Sequence, residues 1–293
     1  MIFRPPLSRL IPLSLLVAIL ALLSVDAALA LGAARLGVSP AAFLAGALLL
    51  LSLPALAVLA YWLWGALSLR YAMDRNAVTI RWAATTHVIP MPNILAVEDG
   101  ADFYVERIHG VHWPGLRVGL GHLDGLGSAI ICATRPLPEQ LILVTRRGGH
   151  YAVSPADRVA FIEGLATRQR LGPTEPLAET SWQPRWMRLP IWRDRLVYAL
   201  LGAGIILSLL LWAWVSLLYP SLPATLPMRG IAATPLARAI ALWLPLAGVA
   251  ALAVNGALAI AVHGRERFAA YLSLGSAVAV QIFIWIALLH AVL

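Results

Sequence analysis

The sequence predicts an α-helical membrane protein with five spans and one α+β domain inserted between the second span and the third. Three observations lead to this fold class: five long apolar segments, a long stretch of ordinary soluble composition that separates the second segment from the third, and an uneven distribution of arginine. Hydrophobic residues make up 60% of the 293-residue chain. A soluble domain has about 45–50%.

Each apolar segment is long enough to cross a bilayer, because about 20 residues at about 1.5 Å per residue span a ~30 Å hydrocarbon core. The five segments are Leu10–Leu31, Ala41–Leu67, Leu196–Tyr219, Ala239–Val262 and Phe268–Val292. They divide the chain into three predicted parts. Residues 1–69 form a two-span hairpin, residues 70–183 form the inserted domain, and residues 184–293 form an interfacial segment followed by three spans.

Arginine predicts the orientation of the spans. It supplies all 22 basic residues, and the chain has a formal charge of +8. Eleven arginines flank the spans on one side of the predicted membrane, and three lie on the other side; the first group is Arg4, Arg9, Arg70, Arg75, Arg81, Arg185, Arg188, Arg193, Arg195, Arg265 and Arg267, and the second is Arg35, Arg229 and Arg238. The positive-inside rule then places the N-terminus and the inserted domain in the cytoplasm and the C-terminus outside. Because the charge flanks membrane segments, it favours lipid headgroups over nucleic acid as its partner.

The first span has a second interpretation. Arg4 and Arg9, the apolar run and Ala28-Leu29-Ala30 are also typical of a signal peptide with its cleavage site. The length of the run, and a second span that follows after a short loop, favour an uncleaved hairpin. The two interpretations predict the same orientation for the inserted domain.

The inserted domain begins as a series of strands. Runs of β-branched and aromatic residues alternate with turn residues, a pattern that predicts antiparallel strands. The predicted strands are Arg70–Met73, Val78–Trp82, His87–Pro90, Ile94–Glu98, Phe103–Ile108, Ala129–Thr134, Leu141–Thr145 and Tyr151–Val153. Asp74-Arg75-Asn76 and Arg146–Gly149 are predicted turns. The glycine-rich segment His109–Gly127 is predicted to be a flexible loop.

One helix is predicted to close the domain. Ser154-Pro155-Ala156-Asp157 is typical of a helix start, with Ser154 as the N-cap and Asp157 complementing the helix dipole. Its predicted apolar face consists of Val159, Phe161, Ile162, Leu165 and Ala166. Leu171-Gly172-Pro173 ends the helix. We therefore expect a small antiparallel β-barrel or sandwich capped by one C-terminal helix.

Several short motifs carry a resemblance to a known family. They are Tyr71-Ala72-Met73-Asp74, Val78-Thr79-Ile80, Trp113-Pro114-Gly115, and Tyr151–Pro155 followed by Asp157, Phe161, Ile162 and Leu165. This domain resembles the bacterial PH-like domains of uncharacterised multi-span membrane proteins. The resemblance implies a pleckstrin-homology fold and a membrane-tethered interaction domain in a bacterial inner membrane.

A second resemblance lies before the fourth span. Tyr219–Pro223 and Leu226-Pro227-Met228 are similar to the Leu-Pro signature of a bacterial membrane family of unknown function. That family continues with His-Phe, whereas this chain has Met228-Arg229.

The sequence contains one candidate metal-binding site. His109, His112, His122 and Asp124 lie in the glycine-rich segment, and histidine with carboxylate is a ligand set for zinc. The spacing is not that of the helical zinc-protease motif. The alternative is a loop with surface histidines, which implies no cofactor. The single cysteine, Cys132, lies in an apolar run and is expected to be a buried thiol.

Two segments are candidates for contact with lipid or a partner protein. Trp113, with Arg107 and Arg117, either reaches the membrane interface or covers the core of the domain. The second segment combines tryptophans and arginines just before the third span, as interfacial segments do; these residues are Trp182, Arg185, Trp186, Arg188, Trp192 and Arg193. The alternative for the second segment is a plain membrane anchor.

Polar residues inside the spans are scarce. Asp26 is expected near the outer end of the first span. Asn255 and Gln281 are expected at depths about 9 Å apart, so a direct bond between them is not expected. The spans therefore lack the central charges of a transporter.

These observations favour a non-enzymatic membrane protein that presents its domain for assembly, scaffolding or regulation of a membrane complex. The expected partners are the lipid bilayer and either another membrane protein or a second copy of the chain. A lipid-sensing module and a metal-dependent membrane hydrolase are the alternatives.

Overall fold

The computed structural model describes residues 1–6, 8–146, 149–175, 177–182, 189–226, 236–237 and 239–292, and it leaves out the side chains of residues 106, 107, 193, 226, 236, 237 and 290–292. Five helices in these ranges are long and apolar enough to span a membrane. They are α1 (Leu10–Leu36), α2 (Pro40–Ser68), α4 (Arg195–Leu218), α5 (Ile240–Val262) and α6 (Arg267–Val292). The prediction of five spans with an inserted sheet domain is confirmed.

The chain forms two compact units. The first, here called the domain unit, comprises Met1–Leu22 and Pro54–Pro184. The second, the helical unit, comprises Leu23–Leu53 and Arg185–Leu293. Each helix of the first hairpin thus contributes one part to each unit.

Two sheets, one short helix and the adjoining parts of α1 and α2 build the domain unit. The five-stranded sheet has the order β1-β2-β3-β4-β11, and the six-stranded sheet has the order β5-β9-β10-β8-β7-β6. The strands are β1 (Ile2–Phe3), β2 (Arg70–Met73), β3 (Ala77–Trp82), β4 (Thr85–Pro90), β5 (Ile94–Asp99), β6 (Val105–Trp113), β7 (Leu116–Leu123), β8 (Gly127–Ala133), β9 (Leu141–Thr145), β10 (His150–Val153) and β11 (Thr180–Trp182). A short pair, β12 (Thr225–Leu226) and β13 (Leu236–Ala237), belongs to the helical unit.

Residues from both sheets and from helix α3 (Arg158–Leu171) share one apolar core. Tyr71, Ile80, Leu143 and Phe161 are among its fully buried members. All ladders within the two sheets are antiparallel except that of β8 and β10. The domain is therefore the predicted β-sandwich capped by one helix, with one parallel pair.

The prediction of a flexible loop over His109–Gly127 is wrong, because most of this segment is the β6–β7 hairpin. Gly110 and Gly119 lie opposite each other, and a Cβ at Gly119 would overlap the carbonyl oxygen of His109. The glycines thus allow the two backbones to approach closely. Val111 and Val118, which are opposite each other in the next pair, are buried.

Helix α3 starts later than predicted. Asp157, and not Ser154, is its N-cap and accepts a hydrogen bond from the Ala160 amide at 2.9 Å. The Ser154 hydroxyl instead accepts the amide of Thr134 at 2.9 Å, so it is committed to the end of β8. The prediction that Gly172 ends the helix is confirmed, since Gly172 has φ +69°.

The predicted apolar face of α3 is correct only in part. Phe161 and Leu165 are buried, whereas Val159 is 66% exposed and Ile162 is 41% exposed. The later start of the helix does not explain the difference. Which residues share a face depends only on their spacing, because each residue of a helix is rotated by about 100° from the one before it. The buried stripe is simply narrower than the predicted face.

Polar side chains join the three helices α4, α5 and α6 at two levels. The amide nitrogen of Gln281, a fully buried residue, donates to the Ser208 hydroxyl at 2.9 Å and to the Gly248 carbonyl at 3.3 Å. Asn255 accepts hydrogen bonds from the Ser273 hydroxyl. Asn255 and Gln281 thus bond to different partners, as their predicted depths required.

Asp26 lies deeper in its helix than predicted. Helix α1 continues to Leu36, ten residues beyond Asp26, which corresponds to about 15 Å of helix. The Ser52 hydroxyl of α2 donates to the Asp26 carboxylate at 2.8 Å. This bond joins the two helices of the first hairpin within the helical unit.

Candidate functional site

The candidate site is the end of the domain unit that adjoins helices α1 and α2, because three separate attachments meet there. The first attachment is to α2. The Trp82 indole lies against Gly65, where any Cβ would overlap the ring. The Ala83 amide donates to the Ser68 hydroxyl at 2.8 Å, and the Tyr61 ring meets the Trp82 ring edge-on at 5.2 Å.

The second attachment is the tip of the β6–β7 hairpin. The Trp113 Nε1–H donates to the Ser14 hydroxyl of α1 at 3.0 Å, and the ring lies 6.0 Å from that of Trp62 on α2. Gly115 has φ +79°, and a Cβ there would lie 2.9 Å from the Ile11 side chain. A glycine is therefore required both for the turn and for its contact with α1.

The structure thus places Trp113 between the domain core and the two helices. Its ring is half-buried and packs against the core residues of the domain unit. Arg117 follows the turn on β7 and is also half-buried. The Arg107 side chain lies outside the described residues. Contact of Trp113 and Arg117 with lipid stays a prediction.

The third attachment is the segment before α1, which the sequence analysis assigned to the two-span hairpin. Phe3 and Ile2 form β1 and pair with β2, with Phe3 opposite Tyr71. The Phe3 ring is buried and meets Phe161 of α3 edge-on at 5.1 Å. The Ala156 amide also donates to the Arg4 carbonyl at 3.0 Å. The segment is therefore a strand of the domain.

The second predicted contact segment is described only at its two ends. Trp182 ends β11, lies opposite Thr86 and is 64% exposed. Trp192 is 44% exposed, and its carbonyl accepts the Tyr198 hydroxyl at 3.0 Å. Between and beside them, Arg185, Trp186 and Arg188 and the side chain of Arg193 lie outside the described residues. Docking of this segment to lipid or a partner stays a prediction.

The candidate metal ligands lie on the β6–β7 hairpin and the turn after it. His109, His112 and His122 are exposed strand residues, and Asp124 follows at the turn. Within the described ranges, no three His, Cys, Asp or Glu side chains come close enough together to hold a metal ion.

A cleft of about 450 Å³ lies beside the segment that leads back to the membrane. Pro90, Asn93, Arg146 and Glu179 are among the residues that line it. The Glu179 carboxylate accepts hydrogen bonds from the Asn93 amide at 2.6 Å and from the Tyr151 hydroxyl at 3.0 Å. Burial, and then the neighbouring Glu179 charge, raises the pKa of Tyr151. The carboxylate thus holds the returning segment against the sandwich.

Burial governs the other titratable groups of the core. It raises the pKa of the Cys132 thiol to about 12, so the thiol is protonated and unreactive at neutral pH. It lowers the pKa of His87, whose Nδ1 lies 3.0 Å from the Ser181 hydroxyl of β11. Burial also raises the pKa of Tyr71, whose hydroxyl donates to the Cys132 carbonyl at 2.7 Å. The His87 and Tyr71 side chains thus bond elements of the sandwich together.

Sequence reasoning missed one polar cluster in the helical unit. The Asp194 carboxylate accepts hydrogen bonds from Tyr271 at 2.6 Å and His263 at 2.9 Å, and it also caps α4 through the Leu196 amide. Hydrogen bonds from Tyr271 and His263 lower the pKa of Asp194 to about 2. An aspartate directly before a predicted helix was the available signal. The cluster joins the ends of α4, α5 and α6.

Comparison with known proteins finds one family that is similar to the inserted domain. Residues 69–169 match the family model described as Bacterial PH domain. The match begins directly after α2 and ends within α3, so it covers strands β2 to β10 and most of α3, but not β1, β11 or the spans. The resemblance seen in the sequence is confirmed, since residues 69–169 are similar to the bacterial PH domain. No curated protein and no solved structure matches the chain.

Proposed function

We propose that this chain is a non-enzymatic integral membrane protein that serves as a fixed interaction module. The proposal starts from a domain similar to the bacterial PH domain that is joined to membrane helices. The domain would lie at the cytoplasmic face of a bacterial inner membrane and assemble, scaffold or regulate a membrane complex. The observation that carries the proposal is the triple attachment of the domain to α1, α2 and the segment before α1.

Three attachments fix the position of the domain relative to the two helices. A domain joined by one linker would sample many orientations, whereas this one presents the same surfaces to its surroundings. A partner bound to the domain would therefore be held at a defined position relative to the parts of α1 and α2 that belong to the domain unit. This favours an assembly role over that of a tethered enzyme domain.

The arginine distribution supports the proposed location of the domain on the cytoplasmic side. Two variants that each add one accessible cysteine would test it, because the only natural cysteine, Cys132, is fully buried. We expect Val38→Cys, in the loop between α1 and α2, to react with a membrane-impermeant maleimide on intact cells. We expect Asp124→Cys, in the turn after β7, to react only after permeabilisation. The reverse pattern would overturn the proposed orientation.

The assembly role is tested by purifying the full chain in mild detergent after chemical crosslinking in cells. We expect a complex of fixed stoichiometry, either with another membrane protein or with further copies of the chain. Trp113→Phe removes the hydrogen bond to Ser14 and keeps an aromatic ring, so it should loosen the hairpin attachment and reduce the yield of the complex. A monomer without partners in crosslinked cells would contradict the proposal.

A further inference from the structure

The outward surface of the five-stranded sheet carries a row of paired residues at its end nearest α2. Arg70 of β2 lies opposite Arg81 of β3, Arg81 lies opposite Thr86 of β4, and Thr86 lies opposite Trp182 of β11. Directly opposite residues in antiparallel strands point to the same side of a sheet. Their neighbours Tyr71 and Ile80 point into the core, so the row faces outward.

This surface is concave. A depression of about 260 Å³ is lined by Arg70, Arg81, Thr79 and Thr86, with Ile2 and Ala72 completing it. Sites for drug-sized ligands have about 300–1,000 Å³, so this one suits a small group. Two guanidinium groups and two hydroxyls can donate the hydrogen bonds that a phosphate group accepts.

The arginine pair is unfavourable by itself. Like charges directly opposite each other destabilise a sheet. Among the residues whose side chains are described, neither Arg70 nor Arg81 forms an ion pair with a carboxylate. An anion between the two guanidinium groups would turn this repulsion into two charge-assisted hydrogen bonds.

The position of the depression points to the membrane as the source of that anion. Arg70 follows the last residue of α2, Ser68, by two positions, which is about 7 Å of extended chain. Trp182 lies at the same end of the sheet and is exposed. Tryptophan and arginine together are typical of the headgroup layer of a bilayer.

We propose that Arg70, Arg81, Thr79 and Thr86 bind one phosphate group, and that an anionic lipid headgroup supplies it. Trp182 lies beside this phosphate site at headgroup depth. The inference does not depend on the assembly function, because it needs only the sheet and the adjoining helix end. The two proposals therefore fail separately.

The test uses the full chain in nanodiscs of phosphatidylcholine alone or of phosphatidylcholine mixed with phosphatidylglycerol. We expect phosphatidylglycerol to raise the thermal midpoint of the wild-type domain and to be retained in native mass spectra. Arg70→Gln and Arg81→Gln should each weaken the binding of a fluorescent phosphatidylglycerol about tenfold. The matched control is Arg170→Gln, an exposed arginine of α3 that bonds only within its own helix in the described residues.

The sign of the stability change separates this site from a structural role of the arginines. In phosphatidylcholine alone, each glutamine variant should be at least as stable as the wild type, because the repulsion is gone. With phosphatidylglycerol present, the order should reverse. Glutamine variants that are less stable in phosphatidylcholine would overturn the proposal, as would equal losses of lipid binding in Arg170→Gln.

Inorganic phosphate distinguishes the two sources of the anion. Added to the protein in phosphatidylcholine nanodiscs, it should raise the midpoint less than phosphatidylglycerol does, since no acyl chain holds it at the surface. An equal rise would overturn the lipid as the source. Lipid binding unchanged in the double variant Arg70→Gln/Arg81→Gln would overturn the site altogether.

Discussion

Phe3→Ala tests whether the segment before the first span is part of the domain. Phe3 is only 8% exposed, although it stands on a two-residue edge strand. Its ring meets that of Phe161 at 5.1 Å, and its backbone pairs with Tyr71. The substitution leaves the backbone pairing in place and removes the ring from the core.

The expected loss follows from burial. Replacing a buried phenylalanine by alanine costs about 3–5 kcal/mol, and the loss is smaller where neighbours can relax into the space. Because β1 lies at the edge of its sheet, we expect a loss of about 3 kcal/mol in the free energy of unfolding. At about 4 °C per kcal/mol for a domain of this size, the thermal midpoint should fall by roughly 12 °C.

The matched control is Ile2→Ala on the same strand. Ile2 is 63% exposed, and exposed substitutions change stability by at most about 0.5 kcal/mol. Thermal unfolding of the domain can be followed by proteolysis of the full chain in phosphatidylcholine nanodiscs. If both variants unfolded at the wild-type midpoint, β1 would not belong to the fold and the third attachment would be refuted.

Three further predictions concern the N-terminal segment, the core and the helical unit. Intact mass of the purified protein should include residues 1–30, because cleavage there would remove β1; a chain starting after Ala30 would contradict the fold. Tyr71→Phe should lower the free energy of unfolding by about 1–3 kcal/mol, because the Cys132 carbonyl and the Ser154 amide lose their hydrogen-bond partner. The control Tyr104→Phe, at an exposed position, should leave it unchanged. The pKa of Asp194 is lowered from 3.8 to about 2, so the ionised carboxylate stabilises the fold above pH 3.8, and this contribution is lost as the pH falls through about 2. Asp194→Asn keeps a capping side chain and should abolish that part of the pH dependence when unfolding of the helical unit is measured.

The spans and the domain type were predictable because each depends on local sequence. Apolar length alone determines whether a segment can cross a bilayer. Four of the five helices match their predicted segments within one residue at each end, and α1 extends five residues beyond its predicted end. The turn at Asp74 was predictable for a similar reason. Its carboxylate accepts the amides of Asn76 and Ala77, and both residues are close in sequence.

The attachments were not predictable, because each depends on contacts between distant residues. Two residues of β1 are too few to show any periodicity, and their pairing is determined by the free edge of β2. The glycines of the β6–β7 hairpin have the composition of a loop, although they serve close backbone approach. Arg70 and Arg81 were used in the sequence analysis only to predict the orientation of the spans. Their pairing could not be predicted, because only the register of β2 and β3 places them opposite each other.

The strand β1 also bears on sidedness, independently of arginine. Backbone hydrogen bonds between β1 and β2 form only if both strands lie on the same side of the bilayer. The segments before α1 and after α2 are therefore on one side, and the first hairpin crosses the membrane an even number of times. The arginine distribution then serves only to predict whether that shared side is the cytoplasm. If the maleimide pattern were reversed, β1 and the domain would therefore both lie outside the cell.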